Sequence, residues 1–245
     1  MSRSPIDALA EQYAARLAEF HPVTASEIGL GEYADKMPDY SQEAADDLDT
    51  VNAGVLARLD DLEIESADDQ ITKDALAERL VVERQLHATG VVDLNNIASP
   101  VQDIRSTFDL MPTATAEDWN NIAARLALVG TALSSYQQRL ASATAAGHPP
   151  TARQIEACIV QSKAAADNFF TDLVSQASAV PPSLRSALER GATAAAQAYA
   201  DFSRYLAEDL HGNARSGDPV GQNYYQLASQ QFLGAHIDLA ETYQW

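Results

Sequence analysis

Residues 115–140 read TAEDWNNIAARLALVGTALSSYQQRL. Trp119, Ile122, Leu126, Val129, Leu133, Tyr136 and Leu140 stand at steps of 3, 4, 3, 4, 3 and 4. That alternation gathers all seven onto one stripe of an α-helix, the spacing with which one helix packs on another at a small crossing angle. The stretch predicts a helix from Thr115 to about residue 146, stopped by GHPP at 147–150.

Reading C-terminally, TARQ at 151–154 has the spacing of a capping box. Ile155, Ile159, Ser162, Ala166, Phe169 and Leu173 carry a second apolar stripe, which VPPS at 180–183 ends. A third helix runs on Leu184, Leu188, Ala195, Tyr199, Phe202, Leu206 and Leu210, and closes at Gly212-Asn213. Long helices joined by short loops are antiparallel neighbours, so 115–146, 151–178 and 183–210 are expected to form an antiparallel set.

Reading N-terminally, Ser4 and Pro5 open a helix on Ile6, Leu9, Tyr13, Leu17 and Phe20, stopped by His21-Pro22. TASE at 24–27 has the form of a capping box opening a short helix that Gly29 or Gly31 closes. GEYADKMPDYS is a loop by its Gly, Pro and Asp content. Ser41 caps a helix through Val51, Val55, Leu59 and Leu62, and another runs from about Asp69 to Thr89 on Ile71, Leu76, Leu80 and Leu86. Pro100 and Pro112 bracket a short helix inside an irregular stretch. No period-2 pattern marks a strand. The fold class is all-α, a multi-helix array with long antiparallel helices. The chain reads as one helical region: a layer over 1–90, a bundle over 115–210, and the start of further helices over 218–245. The loop at 90–114 is the expected seam.

The chain has 245 residues, 46% hydrophobic and 21% charged, which suits a globular protein with a substantial core. Its formal charge is −19. Lys and Arg are thinly spread, with no basic face for nucleic acid or an anionic membrane, so neither is an expected partner. Cys158 is the single cysteine, so no internal disulfide forms. The N-terminus alternates charged and apolar residues unlike a signal peptide, and no segment has the roughly 20 apolar residues of a membrane span. These features predict a reducing compartment, the cytoplasm.

No catalytic constellation stands out. His21, His87, His148, His211 and His236 lie far apart in sequence, without the spacing of a zinc-peptidase helix, and no glycine-rich phosphate loop or nucleophile elbow is present. No catalytic or metal-ligating residue is therefore assigned. The acidic clusters at 46–47, 60–63 and 67–69 read as helix surfaces and first turns. Cys158 reads as a buried thiol. Gly221, Tyr224 and Tyr225, at a helix start, read either as a helix entry with core aromatics or as the lining of a substrate groove; they are the cleft candidates.

The last stretch, GDPVGQNYYQLASQQFLGAHIDLAETYQW, announces a helix at Asp238 and stops about two turns later, which reads as a cut end. Val220-Gly221 with Tyr225, Phe232-Leu233-Gly234, Ile237-Asp238 and Glu241 to Trp245 resemble a segment of the bacterial family called domain of unknown function 885. So do HPVTASEIGLGEYADKMPDYS, RSTFDLMPTATAEDWNNIAARL and YADFSRYLAEDL. The resemblance implies the N-terminal part of a larger, mostly helical, zinc-metallopeptidase-like fold. Its His-Glu metal motif falls in a C-terminal half that this sequence lacks, so zinc is implied for that half and no cofactor for this chain. The expected role is a non-catalytic helical half, walling or covering a cleft; a free-standing helical interaction module is the alternative. The expected partners are the missing catalytic half, or a second copy meeting the 218–245 surface.

Overall fold

The computed structural model describes residues 4–178 and 180–245. The described residues are overwhelmingly helical, and their one β feature is an isolated bridge between Thr151 and Arg215. The helices are α1 (Pro5–Phe20), α2 (Pro22–Glu27), α3 (Gln42–Asp61), α4 (Ala67–Ala88), α5 (Pro100–Ser106), α6 (Ala116–Ala145), α7 (Ala152–Ala164), α8 (Phe170–Ser175), α9 (Pro182–Tyr205), α10 (Gln222–Leu233) and α11 (Leu239–Gln244). None of them is long and apolar enough to cross a membrane. The chain divides into two compact units. One comprises residues 1–17, 43–91 and 219–245; the other comprises 18–42 and 92–218. Residues 18–42 thus cluster with the 92–218 stretch rather than with the rest of 1–90.

The caps explain several boundaries. Ser4 Oγ accepts from the Asp7 N–H at 3.1 Å, and Thr115 and Asp118 make a reciprocal capping box at the start of α6. Two expectations shift. TASE does not open a helix: Pro22 takes the first-turn position of α2, and Ser26 donates back to the Val23 carbonyl at 2.8 Å. The fourth helix starts before Asp69, because Ser66 is its cap, accepting from the Asp69 N–H at 3.1 Å.

In the second unit, all seven stripe residues of 115–140 are buried, with Ile122, Leu126, Val129 and Leu140 at 0% exposure. They face α9, whose Leu188, Ala195, Tyr199, Phe202, Leu206 and Leu210 are buried too. The Tyr136 ring stacks on Phe202 with centroids 5.8 Å apart, and the Tyr205 hydroxyl donates to the Gln137 carbonyl at 3.4 Å. Residue numbers rise together along this contact, so α6 and α9 run parallel, as the first and third members of an alternating set must. The α7–α8 arm runs opposite to α9. Ser203 donates to the Ile159 carbonyl at 3.3 Å, and Phe170 lies beside Tyr199 at 5.6 Å. The close approach of α6 and α9 needs Gly191: a Cβ there would lie 2.8 Å from the Leu126 Cβ.

The second stripe differs in phase from its sequence reading. Ile155, Cys158, Ser162, Ala165, Phe170 and Leu173 are buried, whereas Ala166 and Phe169 are only partly so. Residues Ala165–Phe169 form a π-helical turn, and i→i+5 winding converts one step of the stripe from four residues to five. A second π turn, Leu206–Leu210, closes the α9 arm.

The irregular segment before α5 has its backbone satisfied from a distance. Tyr136 donates to the Asp93 carbonyl. Cys158 and Gln102 donate to that of Asn95 at 3.2 and 3.0 Å, and Gln161 to that of Asn96 at 3.0 Å; within the first turn of α5, Tyr199 donates to the Val101 carbonyl at 2.8 Å. Burial pushes the Cys158 thiol up to about 11, so it is a neutral donor here rather than a nucleophile.

The first unit has a smaller core of Ile6, Leu9, Val55, Leu59 and Leu80 from α1, α3 and α4. Tyr13 donates to Asn52 at 2.9 Å across it. Ile71, expected on the apolar side of α4, is 67% exposed. Helix α10 rests on α4 through polar groups. Gln230 donates to Glu78 at 3.2 Å, Gln231 to Glu83 at 2.8 Å, and Arg79 to the Gln231 carbonyl.

Candidate functional site

Gly221 is the residue before α10 and holds φ at +85°, in the region that favours glycine. After the 12 residues of α10 the helix ends on Gly234 in the left-handed conformation. Between them Tyr224 is half-buried and Tyr225 is 56% exposed. The start of α10 and the Asp238 cap of α11 enclose a shallow hollow of about 550 Å³. It is lined by Gln222, Asn223, Gln226, His236, Ile237 and Asp238 among others. Gln226 donates to the Ile237 carbonyl at 3.1 Å, and Asp238 accepts from the Ala240 and Glu241 N–H groups. The hollow therefore sits beside the three cleft candidates, and its lining is their neighbours rather than the two phenols. What the α10–α11 segment does present is apolar surface: Phe232 and Tyr243 are 90% and 93% exposed, with Leu233 and Trp245 open as well. No residue of either helix is buried.

The second concave site lies in the other unit and escaped the sequence reading. Arg125, on α6, is 2% exposed. Its Nε donates to the Lys36 carbonyl at 3.0 Å, and Nη2 to Ser26 Oγ at 2.8 Å and the Tyr33 carbonyl at 3.2 Å. One guanidinium thus ties down the whole 26–36 loop. Burial lowers its basicity, and Glu27 and Asp35 work against that by their charge. Above it opens a cleft of about 320 Å³, with Leu110, Met111 and Pro112 as one wall and Glu27 and Glu117 at the rim. The signal for Arg125 was in the register. It stands three residues after Ile122 and four before Val129, so helical spacing places a charge on the buried face.

The histidines do not converge. His87 pairs with Asp46 at 3.1 Å and His211 with Glu156 at 3.1 Å. Among the described residues no group of three or more His, Cys, Asp or Glu side chains is placed to hold a metal ion.

The family described as "Bacterial protein of unknown function (DUF885)" matches residues 22–245. The chain belongs to this family. No curated protein matches it significantly. Among solved structures it is similar to "The crystal structure of the putative lipoprotein from Colwellia psychrerythraea", with a TM-score of 0.77 at 17% sequence identity. The similarity covers 98% of this chain and 47% of the Colwellia chain, so this DUF885 chain spans about half the length of that neighbour. At such identity the likeness speaks to the all-α fold.

Proposed function

We propose that this chain acts as the non-catalytic, N-terminal helical half of a larger DUF885 assembly, and that the α10–α11 surface receives the other half. The observation that carries the reading is the row of open apolar side chains from Val220 to Trp245 in a chain half as long as its structural neighbour. Burying apolar area at roughly 25 cal/mol per Å² would make such a row a strong anchor. In this reading Gly221, Tyr224 and Tyr225 stand at the wall of a substrate cleft. The hydrolytic chemistry, zinc-dependent and peptidase-like by the family resemblance, resides in the second half. The lone, buried Cys158 fits a cytoplasmic setting. A second reading, a free-standing helical interaction module, is favoured by the 92–218 core, which closes on itself around α9.

Light scattering of the purified chain, alone and mixed with the C-terminal half of a full-length DUF885 protein, tests the proposal. A 1:1 complex that Phe232→Asp abolishes is the expected result. A chain that stays monomeric from low to high salt and ignores the added half would leave the free-standing module. Association with itself alone would identify the second copy as the occupant.

A further inference from the structure

The cleft over Arg125 is a separate matter from the α10–α11 surface, because every residue that forms it belongs to the 18–42 and 92–218 unit. Arg125 offers five N–H donors. Three are spent on Lys36, Ser26 and Tyr33. Nη1 meets no protein partner among the described residues, and it is not among their sealed, unmatched polar atoms. On an otherwise buried side chain that lines a cleft, this is the nitrogen left open to it. A charged N–H donor of that kind suits an anionic oxygen such as that of a carboxylate.

A simple anion is nevertheless poorly served. Glu27 and Glu117 also line the cleft, neither in an ion pair among the described residues. An incoming carboxylate gains from Arg125 and is repelled by these acids. A ligand bearing an ammonium beside its carboxylate gains from both. The wall of Leu110, Met111 and Pro112 then suits an apolar side chain. The volume of about 320 Å³ is at the small end of small-molecule sites, which run from roughly 300 to 1,000 Å³. We infer that this cleft binds a free α-amino acid with an apolar side chain, its carboxylate on Arg125 Nη1 and its ammonium on Glu27.

Three probes separate the possibilities by calorimetric titration of the whole chain: L-leucine, N-acetyl-L-leucine, which lacks the ammonium as a peptide C-terminus does, and L-leucinamide, which lacks the carboxylate as a peptide N-terminus does. Leucine is expected to bind at least about tenfold more tightly than either blocked form. Glu27→Gln, at an exposed position, should weaken leucine about tenfold while the chain stays folded. Arg125→Lys should abolish binding; if that variant fails to fold, Glu27→Gln alone decides. Equal binding of N-acetyl-leucine or of leucinamide, no effect of Glu27→Gln, or no leucine binding at millimolar concentration overturns the inference.

Discussion

Helix α6 and helix α10 are both amphipathic by sequence, and their fates differ. The stripe of α6 is wholly buried against α9 and ends in stacked aromatic rings. Helix α10 buries no residue, touches α4 through glutamines and an arginine, and points Phe232 at solvent. Polar bonds of this kind net about 0.5–1.5 kcal/mol each, whereas a buried large side chain contributes about 1.5–3 kcal/mol. Periodicity announces that a helix has an apolar face. It does not announce what covers that face.

The contrast breaks most easily at Leu133, which is 2% exposed on the α6 side. Leu133→Ala should cost about 2–5 kcal/mol in chemical denaturation; a loss under about 0.5 kcal/mol would place the seam on another face. The next effect comes from a pair of glycines in the same contact. Gly191→Ala gains roughly 1 kcal/mol of helix propensity, but its methyl would meet the Leu126 Cβ at 2.8 Å, an atom that no rotamer change can move. Overpacking of about 1–3 kcal/mol exceeds the gain, so net destabilisation is expected. Gly130→Ala meets only the Ala198 Cβ at 3.8 Å and should be neutral or stabilising by up to about 1 kcal/mol. Equal behaviour of the two variants would refute the close approach at Gly191. The smallest effect belongs to α10: Phe232→Ala should change the stability of the isolated chain by less than about 0.5 kcal/mol. A large loss there would mean that α10 is folded into a core after all.

The α6 and α9 stripes were legible because their winding stays α-helical as far as Tyr205, and every residue assigned to them is buried, Leu206 and Leu210 of the closing π turn included. The α7–α8 stripe was legible only to Ser162. Past it the π turn at Ala165–Phe169 exchanged Phe169 for Phe170 as the buried ring, and spacing alone gives no notice of an extra residue in a turn. At the sites, Gly221 was legible as a helix entry and adopts the backbone conformation glycine permits. The hollow beside it depends on residues 236–240 folding back toward 222–226, which local pattern does not encode. Arg125 was legible in register and passed over in practice, since a charge between apolar neighbours reads as surface until its loop partners at 26–36 are known.

The segment from Val92 to Ser99 has one more consequence. Its carbonyls are held by Gln102, Tyr136, Cys158 and Gln161, residues on α5, α6 and α7. Its shape is therefore not portable. Transplanted into another scaffold without those donors, the same amino acids would lose the mould that casts them. A recipient protein would have to inherit three helices to inherit one loop.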